Sequence, residues 1–138
     1  KKSHVLPALL RKFIEAKRKG NPSVEIWGTG KPKREFLHVD DLADACYFLM
    51  QNYNAEGLVN IGCGEDIEII ELANIIKGIV GYDGEIRLDV SKPDGTPRKL
   101  MDVSKLTKIG WTAKISLVDG IQSVYDEVKD TVWDEHLV

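Results

Sequence analysis

The sequence has few of the residues that mark secreted, membrane or metal-binding proteins. Its 138 residues include 2 cysteines and 3 histidines, which form neither a disulfide framework nor a metal-ligand spacing. No apolar run approaches the roughly 18 residues that a membrane-spanning helix requires, and the first residues carry no secretory signal pattern. The net charge of −3 gives no reason to expect nucleic acid or an anionic membrane as partner. We therefore expect a reduced, cytoplasmic setting.

Several familiar catalytic and phosphate-binding motifs are also absent. No G-x-G-x-x-G follows a strand and opens a helix, so the dinucleotide fingerprint is missing. Gly28-x-Gly30 runs into a proline turn, and Gly62-x-Gly64 lacks the third glycine. There is no Walker lysine, and no Ser-His-Asp order has recognisable flanks. These absences leave other parts of the chain to explain its function.

The composition is that of one modest soluble domain, with 43% apolar and 30% charged residues. Helical spacing alternates with short apolar runs, which predicts a mixed α/β layer with a small sheet. Cys46 falls within an apolar helical pattern and is expected to be buried. Helices are predicted over 3–18, about 40–50, 67–80, 103–109 and 116–129, and strands over 24–27, 36–39, 58–62 and 85–89.

The beginning of the chain is unusual. Lys1-Lys2-Ser3-His4 has no initiator methionine and leads almost at once into a predicted helix. We therefore expect the sequence to be a piece of a longer protein.

One stretch combines an aromatic plane with a planar cation. Trp27 ends a predicted strand, Gly28 to Pro32 form a turn, and Arg34 opens the next apolar segment. An indole and a five-donor guanidinium suit a ligand that carries both a ring and a phosphate. This stretch therefore predicts a nucleotide-diphosphate site.

The loop from Lys92 to Lys99 is the second specific feature. Its Pro-Asp-Gly sequence is turn chemistry, but two prolines and four charged residues in eight positions exceed what a turn needs. Asp94 has the chemistry to accept paired hydrogen bonds from an amide–amino edge such as guanine presents. A plain surface turn is the alternative.

Three segments together resemble the GDP-L-fucose synthases, which are extended short-chain dehydrogenases acting on nucleotide sugars. The Arg-Glu-Phe-Leu-His-Val-Asp-Asp motif at 34–41 is shared across that superfamily, whereas two other segments are more specific. These are His-Val-Leu-Pro-Ala-Leu at 4–9 and Lys-Pro-Asp-Gly-Thr-Pro-Arg-Lys at 92–99. The resemblance runs in order from Ser3 to about Lys129.

The resemblance implies a role for five residues. His4 matches the histidine that serves as acid and base in epimerisation, close to the nicotinamide. Lys12 stands where the family often has a substrate-facing arginine, and lysine keeps the charge without the bidentate fork. Trp27 and Arg34 match substrate-binding residues, and Asp94 matches the loop carboxylate near the nucleotide.

The resemblance also implies a domain plan and a cofactor. Residues 1–129 would be the C-terminal, nucleotide-sugar-binding region of a homodimeric epimerase/reductase, followed by a tail at 130–138. Such enzymes convert GDP-4-keto-6-deoxy-D-mannose to GDP-L-fucose with NADPH. The N-terminal Rossmann half, which mainly binds NADP(H), would be missing, so this piece alone is expected to lack catalysis.

Two alternatives remain. Another nucleotide-sugar epimerase or dehydratase would lack the Lys-Pro-Asp-Gly-Thr-Pro loop. A non-catalytic nucleotide-sugar-binding module is the other alternative, if the chain natively starts at Lys1.

Overall fold

A computed structural model gives the fold of residues 5–55 and 57–133. It is a mixed α/β arrangement, as the sequence predicts. Its helices are α1 (Val5–Lys19), α2 (Val39–Asn52), α3 (Ile69–Val80), α4 (Ser104–Ile109) and α5 (Leu117–Val128), and its strands are β1 (Ser23–Trp27), β2 (Lys33–Arg34), β3 (Ile67–Glu68), β4 (Glu85–Asp89) and β5 (Arg98–Lys99).

The strands form two small sheets. β1 pairs with β4 in parallel, with Ser23 opposite Glu85 and Trp27 opposite Asp89. In the other sheet β2 lies between β3, to which it is antiparallel, and β5, to which it is parallel. The two parallel pairs bring the β1–β2 connection alongside the β4–β5 connection, because matched strands begin and end together.

Two apolar clusters hold the elements together. The larger lies between α1, β1, α3 and α5, and at its centre the ring of Phe13 meets that of Tyr82 edge-on, with centroids 5.7 Å apart. The smaller cluster has Ala45, Leu106 and Trp111 at its centre and joins α2 to α4 and the segment that follows. Burial of these side chains supplies most of the driving force for folding.

Most helix ends follow the sequence signals. Ser116 caps α5 by accepting a hydrogen bond from the Asp119 backbone N–H at 3.1 Å. Gly81 and Gly110 adopt left-handed conformations directly after α3 and α4. The expected cap of α1, Ser3, lies outside the described residues.

The orientation of α2 differs from the prediction. His38, not Asp40, caps the helix, with its Nδ1 accepting from the Asp40 N–H at 3.1 Å. The helix buries the face that carries Asp41 and Ala45, so Cys46 is exposed instead of buried. Two faces of this helix are apolar, and hydrophobic spacing alone could not distinguish between them.

Other short elements were also predicted wrongly. Residues 36–38 and 58–62 have no strand pairing, although their apolar runs favoured strands. Ile67 and Glu68 form β3, so α3 begins at Ile69 rather than at Ile67. Pairing with β2 overrides the local helical pattern at this point.

Within the part of the chain that the structure describes, no helix has the length and apolar content needed to cross a bilayer.

Candidate nucleotide-sugar site

The two stretches singled out from the sequence meet where the β1–β2 and β4–β5 connections run side by side. The Gly28 backbone N–H donates to the Asp89 carbonyl at 2.8 Å, at the start of the second connection. The Lys33 N–H donates to the Pro97 carbonyl, also at 2.8 Å, near its end. These bonds hold the loop at 90–97 against the turn at 28–32.

Asp94 fastens the tip of the loop to this turn. Its Oδ1 accepts from the Thr29 backbone N–H at 2.6 Å, and its Oδ2 accepts from the Thr29 hydroxyl at 2.9 Å. Gly28 has φ +85°, and a Cβ there would lie 2.1 Å from Oδ1 of Asp94, so only glycine fits. A carboxylate has about four acceptor positions, so Asp94 retains capacity for a ligand beside this clasp.

Trp27 presents its indole at the end of β1, with 61% of its surface exposed. The ammonium group of Lys92 lies 5.3 Å from the ring centroid, which is a cation–π distance. The sequence-based expectation paired this indole with Arg34. The structure adds Lys92, from the second loop, as a cation on the ring.

Arg34 has a buried donor without a partner. Its Nη1 donates to the Lys33 carbonyl at 2.7 Å, but its Nε is buried and has no hydrogen-bond partner among the described residues. A Cβ on Gly95 would lie 3.8 Å from Nη2, so this guanidinium is next to the loop tip. An unsatisfied buried donor is costly, and a shift of the side chain toward a bound anion would satisfy it.

Arg34 also lines a cavity of about 470 Å³. Asp66 lies in the same wall, but it already pairs with Arg98, whose Nε donates to its Oδ2 at 2.6 Å. Cys63 lines the cavity too, and burial, together with the nearby Glu35 carboxylate, raises the pKa of this thiol. The thiol is therefore protonated near neutral pH and a poor nucleophile.

Lys12 lies apart from this cavity. Its ammonium donates to the Glu25 carbonyl at 3.2 Å, two residues before Trp27 on β1. A backbone carbonyl lies in the plane of its sheet, and α1 packs on the buried face of β1 through Val24 and Ile26, so this contact does not bring Lys12 to the indole face. His4, the predicted acid/base residue, lies outside the described residues.

Two acidic residues with extensive contacts were not singled out from the sequence. Glu35 accepts hydrogen bonds from the backbone of Gly64 and Met101. Asp41, only 2% exposed, accepts from the backbone of Lys114 and Ile115. Both belong to the Arg-Glu-Phe-Leu-His-Val-Asp-Asp motif, which was the available signal.

The described residues do not fit a dinucleotide pyrophosphate at the Gly28-x-Gly30 turn. Side chains already fill the space that a phosphate cradle requires. A Cβ on Gly28 would meet Asp94, and one on Gly30 would lie 2.8 Å from the Cβ of Ile70. No step involving NADP(H) is assigned to these glycines.

Comparison with known proteins finds this chain similar to part of several longer proteins. The model of the NAD-dependent epimerase/dehydratase family matches residues 1–62. GDP-L-fucose synthase 1 of Arabidopsis thaliana is 59% identical over 124 residues, which are 90% of this chain and 38% of the relative. The chain thus spans about two fifths of the length of this relative.

Solved structures share the fold. The GDP-mannoheptose C4 reductase MlghC from Campylobacter jejuni, with NADP bound, is 46% identical with a TM-score of 0.79, over 90% of this chain and 44% of that one. A GDP-L-fucose synthetase from Naegleria fowleri bound to NADP is 28% identical with a TM-score of 0.83, over 91% of this chain and 40% of that one. Over 90% of its length, the chain is therefore homologous to part of the GDP-L-fucose synthases, which are nucleotide-sugar enzymes of the epimerase/dehydratase type.

Proposed function

We propose that this chain is the substrate-binding part of an NADPH-dependent 3,5-epimerase/4-reductase that makes GDP-L-fucose from GDP-4-keto-6-deoxy-D-mannose. The observation that carries the proposal is the guanidinium of Arg34, which lines the cavity and lies beside the Asp94 loop. Such a group suits a diphosphate, because a guanidinium binds phosphate through several fixed N–H groups.

The remaining substrate contacts follow from the same arrangement. Trp27 offers an exposed aromatic face to the nucleoside or sugar. Asp94 holds the loop in place and has acceptor capacity left for a guanine edge. Lys12 supplies positive charge near β1, where it bonds the Glu25 carbonyl.

His4 is proposed as the acid and base of the epimerisation, delivering a proton to the sugar ring. Imidazole suits this role because its ordinary pKa lies near neutral pH. NADP(H) supplies the hydride for reduction of the ketone, and we propose that it is held mainly by the region of the relatives that this chain does not span. In this proposal residues 1–129 form the nucleotide-sugar-binding region, and 130–138 form a tail.

The exposed face of α2 suits contact with that further region. Val39, Leu42, Tyr47 and Met50 are between 43% and 79% exposed, and such a continuous apolar face is unusual on a free surface. About three fifths of the Arabidopsis relative lies outside the matched segment. We propose that the region corresponding to this remainder packs on α2 in the full-length protein. We also propose that the full-length protein is a cytoplasmic homodimer.

GDP binding by the chain tests the proposal. Part of the ligand-binding surface would belong to the remainder, so we expect affinity in the micromolar to millimolar range, about 4 to 8 kcal/mol, and weaker binding of UDP. Arg34→Ala should remove one charge-assisted hydrogen bond and cost roughly 1.5–3 kcal/mol.

Calorimetry measures these affinities, with Arg87→Ala as the control for loss of a positive charge. Arg87 lies on β4 in an exposed ion pair with Glu85, and its removal should leave GDP binding unchanged. Equal or tighter binding of UDP would refute the guanine assignment. Wild-type GDP affinity in Arg34→Ala would refute the role of this arginine.

MlghC gives a specific reason to test a second function. This structure is 46% identical and is described as a C4 reductase, so reduction of a GDP-sugar ketone without epimerisation is the alternative. Solvent deuterium incorporation into the product distinguishes the two, because only epimerisation exchanges the carbon-bound protons.

A further inference from the structure

Glu35 joins three segments that are distant in the sequence. Its Oε2 accepts from the Gly64 backbone N–H at 2.6 Å, and its Oε1 accepts from the Met101 N–H at 3.2 Å. The Cys63 sulfur lies 3.7 Å from Oε2 and 3.2 Å from the Glu65 carbonyl, so its single proton has two acceptors within reach. A Cβ on Gly62 would lie 2.8 Å from both carboxylate oxygens, so the turn packs directly on the carboxylate.

These contacts are made by the residue next to the candidate phosphate-binding arginine. Glu35 directly follows Arg34, and Arg34 pairs with Lys99 in the sheet. Met101 comes two residues after Lys99, just beyond the Asp94 loop. Glu35 therefore holds the far end of this loop beside Arg34, while Asp94 holds its tip.

We propose that Glu35 is a positioning residue of the nucleotide-sugar site. Its carboxylate fixes the turn at 62–64 and, through Met101, the segment that follows the loop at 90–97 relative to Arg34. It thereby sets the geometry in which the arginine and the loop meet a diphosphate. This inference rests on the proposed function. It concerns how the site is held together, because the contacts of Glu35 are with Cys63, Gly64 and Met101.

The chemistry of the contacts requires a carboxylate. Among the described residues, the polar groups that contact Glu35 are two backbone N–H donors and a thiol whose proton also faces the Glu65 carbonyl. Glutamine has nearly the same volume, but one of its two acceptor oxygens is replaced by an NH₂ donor. Glu35→Gln therefore sets a donor against a donor while leaving the packing almost unchanged.

The test compares GDP binding by the wild-type chain, Glu35→Gln and Glu35→Asp, at a temperature where circular dichroism shows each to be folded. We expect the affinity to fall about tenfold in Glu35→Gln, because a loop that is correctly placed for a smaller fraction of the time binds in proportion to that fraction. Glu35→Asp keeps the charge, but its side chain is one methylene shorter. Its GDP affinity should lie between those of the wild type and Glu35→Gln. Glu127→Gln, an exposed change on α5, is the matched control and should bind as wild type.

A thiol titration provides an independent readout of the same geometry. Burial and the negative charge of Glu35 raise the pKa of the Cys63 thiol. In a Cys46→Ser background, which removes the exposed cysteine, Glu35→Gln should shift the reaction of Cys63 with a thiol reagent to lower pH. An unshifted titration would show that the carboxylate does not face this thiol, and would overturn the proposal.

The outcomes separate the two hypotheses. A wild-type chain that does not bind GDP would refute the proposed function. Wild-type GDP binding that persists unchanged in folded Glu35→Gln would refute only the positioning role. Failure of both Glu35 variants to fold would assign the residue a purely structural role, which also overturns the inference.

Discussion

Replacement of Asp41 by asparagine should be one of the most destabilising conservative changes in this chain. The Asp41 carboxylate is 2% exposed, and its oxygens accept from the Lys114 N–H at 3.2 Å and from the Ile115 N–H at 2.9 Å. The bonds tie the first turn of α2 to the segment that leads into α5. Asparagine keeps the shape but loses the charge and turns an NH₂ group toward backbone donors.

The expected loss follows from these contacts. A hydrogen bond to a charged group contributes about 1.5–3 kcal/mol, and a buried donor left unsatisfied adds a cost of its own. Relaxation of the segment would recover part of this, so we expect Asp41→Asn to lower the free energy of unfolding by about 2–4 kcal/mol. That is a large share of the roughly 5–15 kcal/mol that keeps a typical domain folded.

Urea denaturation followed by tryptophan fluorescence measures this loss. Asp40→Asn is the matched control, because the Asp40 side chain is 79% exposed and its substitution removes the same charge from the same helix turn. We expect the control to change the stability by less than about 0.5 kcal/mol. Equal effects of the two substitutions would show that the helix-end charge, and not the buried bonds, stabilises this junction.

Two further predictions concern a pH dependence and a catalytic role. The Trp111 Nε1–H donates to Asp44 at 2.9 Å, and this bond, assisted by Lys114, lowers the pKa of Asp44 below 3.8. The contribution of the Asp44 carboxylate to stability is therefore complete above that value and is lost as the pH falls through the folded-state pKa. Asp44→Asn should accordingly lose less stability than wild type between pH 6 and pH 3, measured by urea denaturation. Equal losses in the two proteins would contradict this. The catalytic role is tested in a chimera in which this chain replaces the matching segment of the Arabidopsis relative. There His4→Asn should slow solvent deuterium exchange at the epimerised carbons by about 10²–10⁴-fold and leave NADPH affinity unchanged. Exchange at the wild-type rate would exclude His4 as the acid.

The long periodic elements could be predicted from the sequence. α1, β4 and α5 match their predicted ranges closely, because hydrophobic spacing and caps such as Ser116 act locally. The orientation of α2 could not, since two of its faces are apolar and the choice depends on the bonds that Asp41 makes about seventy positions away. β3 is likewise a product of pairing with β2, which no local signal indicates.

The candidate site was partly predictable, because some of its residues lie in recognisable local motifs. Motifs identified Trp27, Arg34 and Asp94, and the Asp94 clasp brings their two loops together. Motifs did not reveal that Asp94 accepts hydrogen bonds from Thr29, that the Lys92 ammonium lies over the indole ring, or that Glu35 links two backbone segments. Those contacts depend on strand register, and register is set by tertiary structure.

The parallel pairing of β1 with β4 has a consequence for how the chain folds. Its partners, such as Ser23 and Glu85, are separated by about sixty positions that include α2, β3 and α3. A large loop must therefore close before this sheet gains any hydrogen bond, and such non-local contacts slow folding. The β1–β4 sheet, which carries Trp27, would therefore form late. A chain emerging from the ribosome would expose the unpaired edge of β1 until β4 had been synthesised.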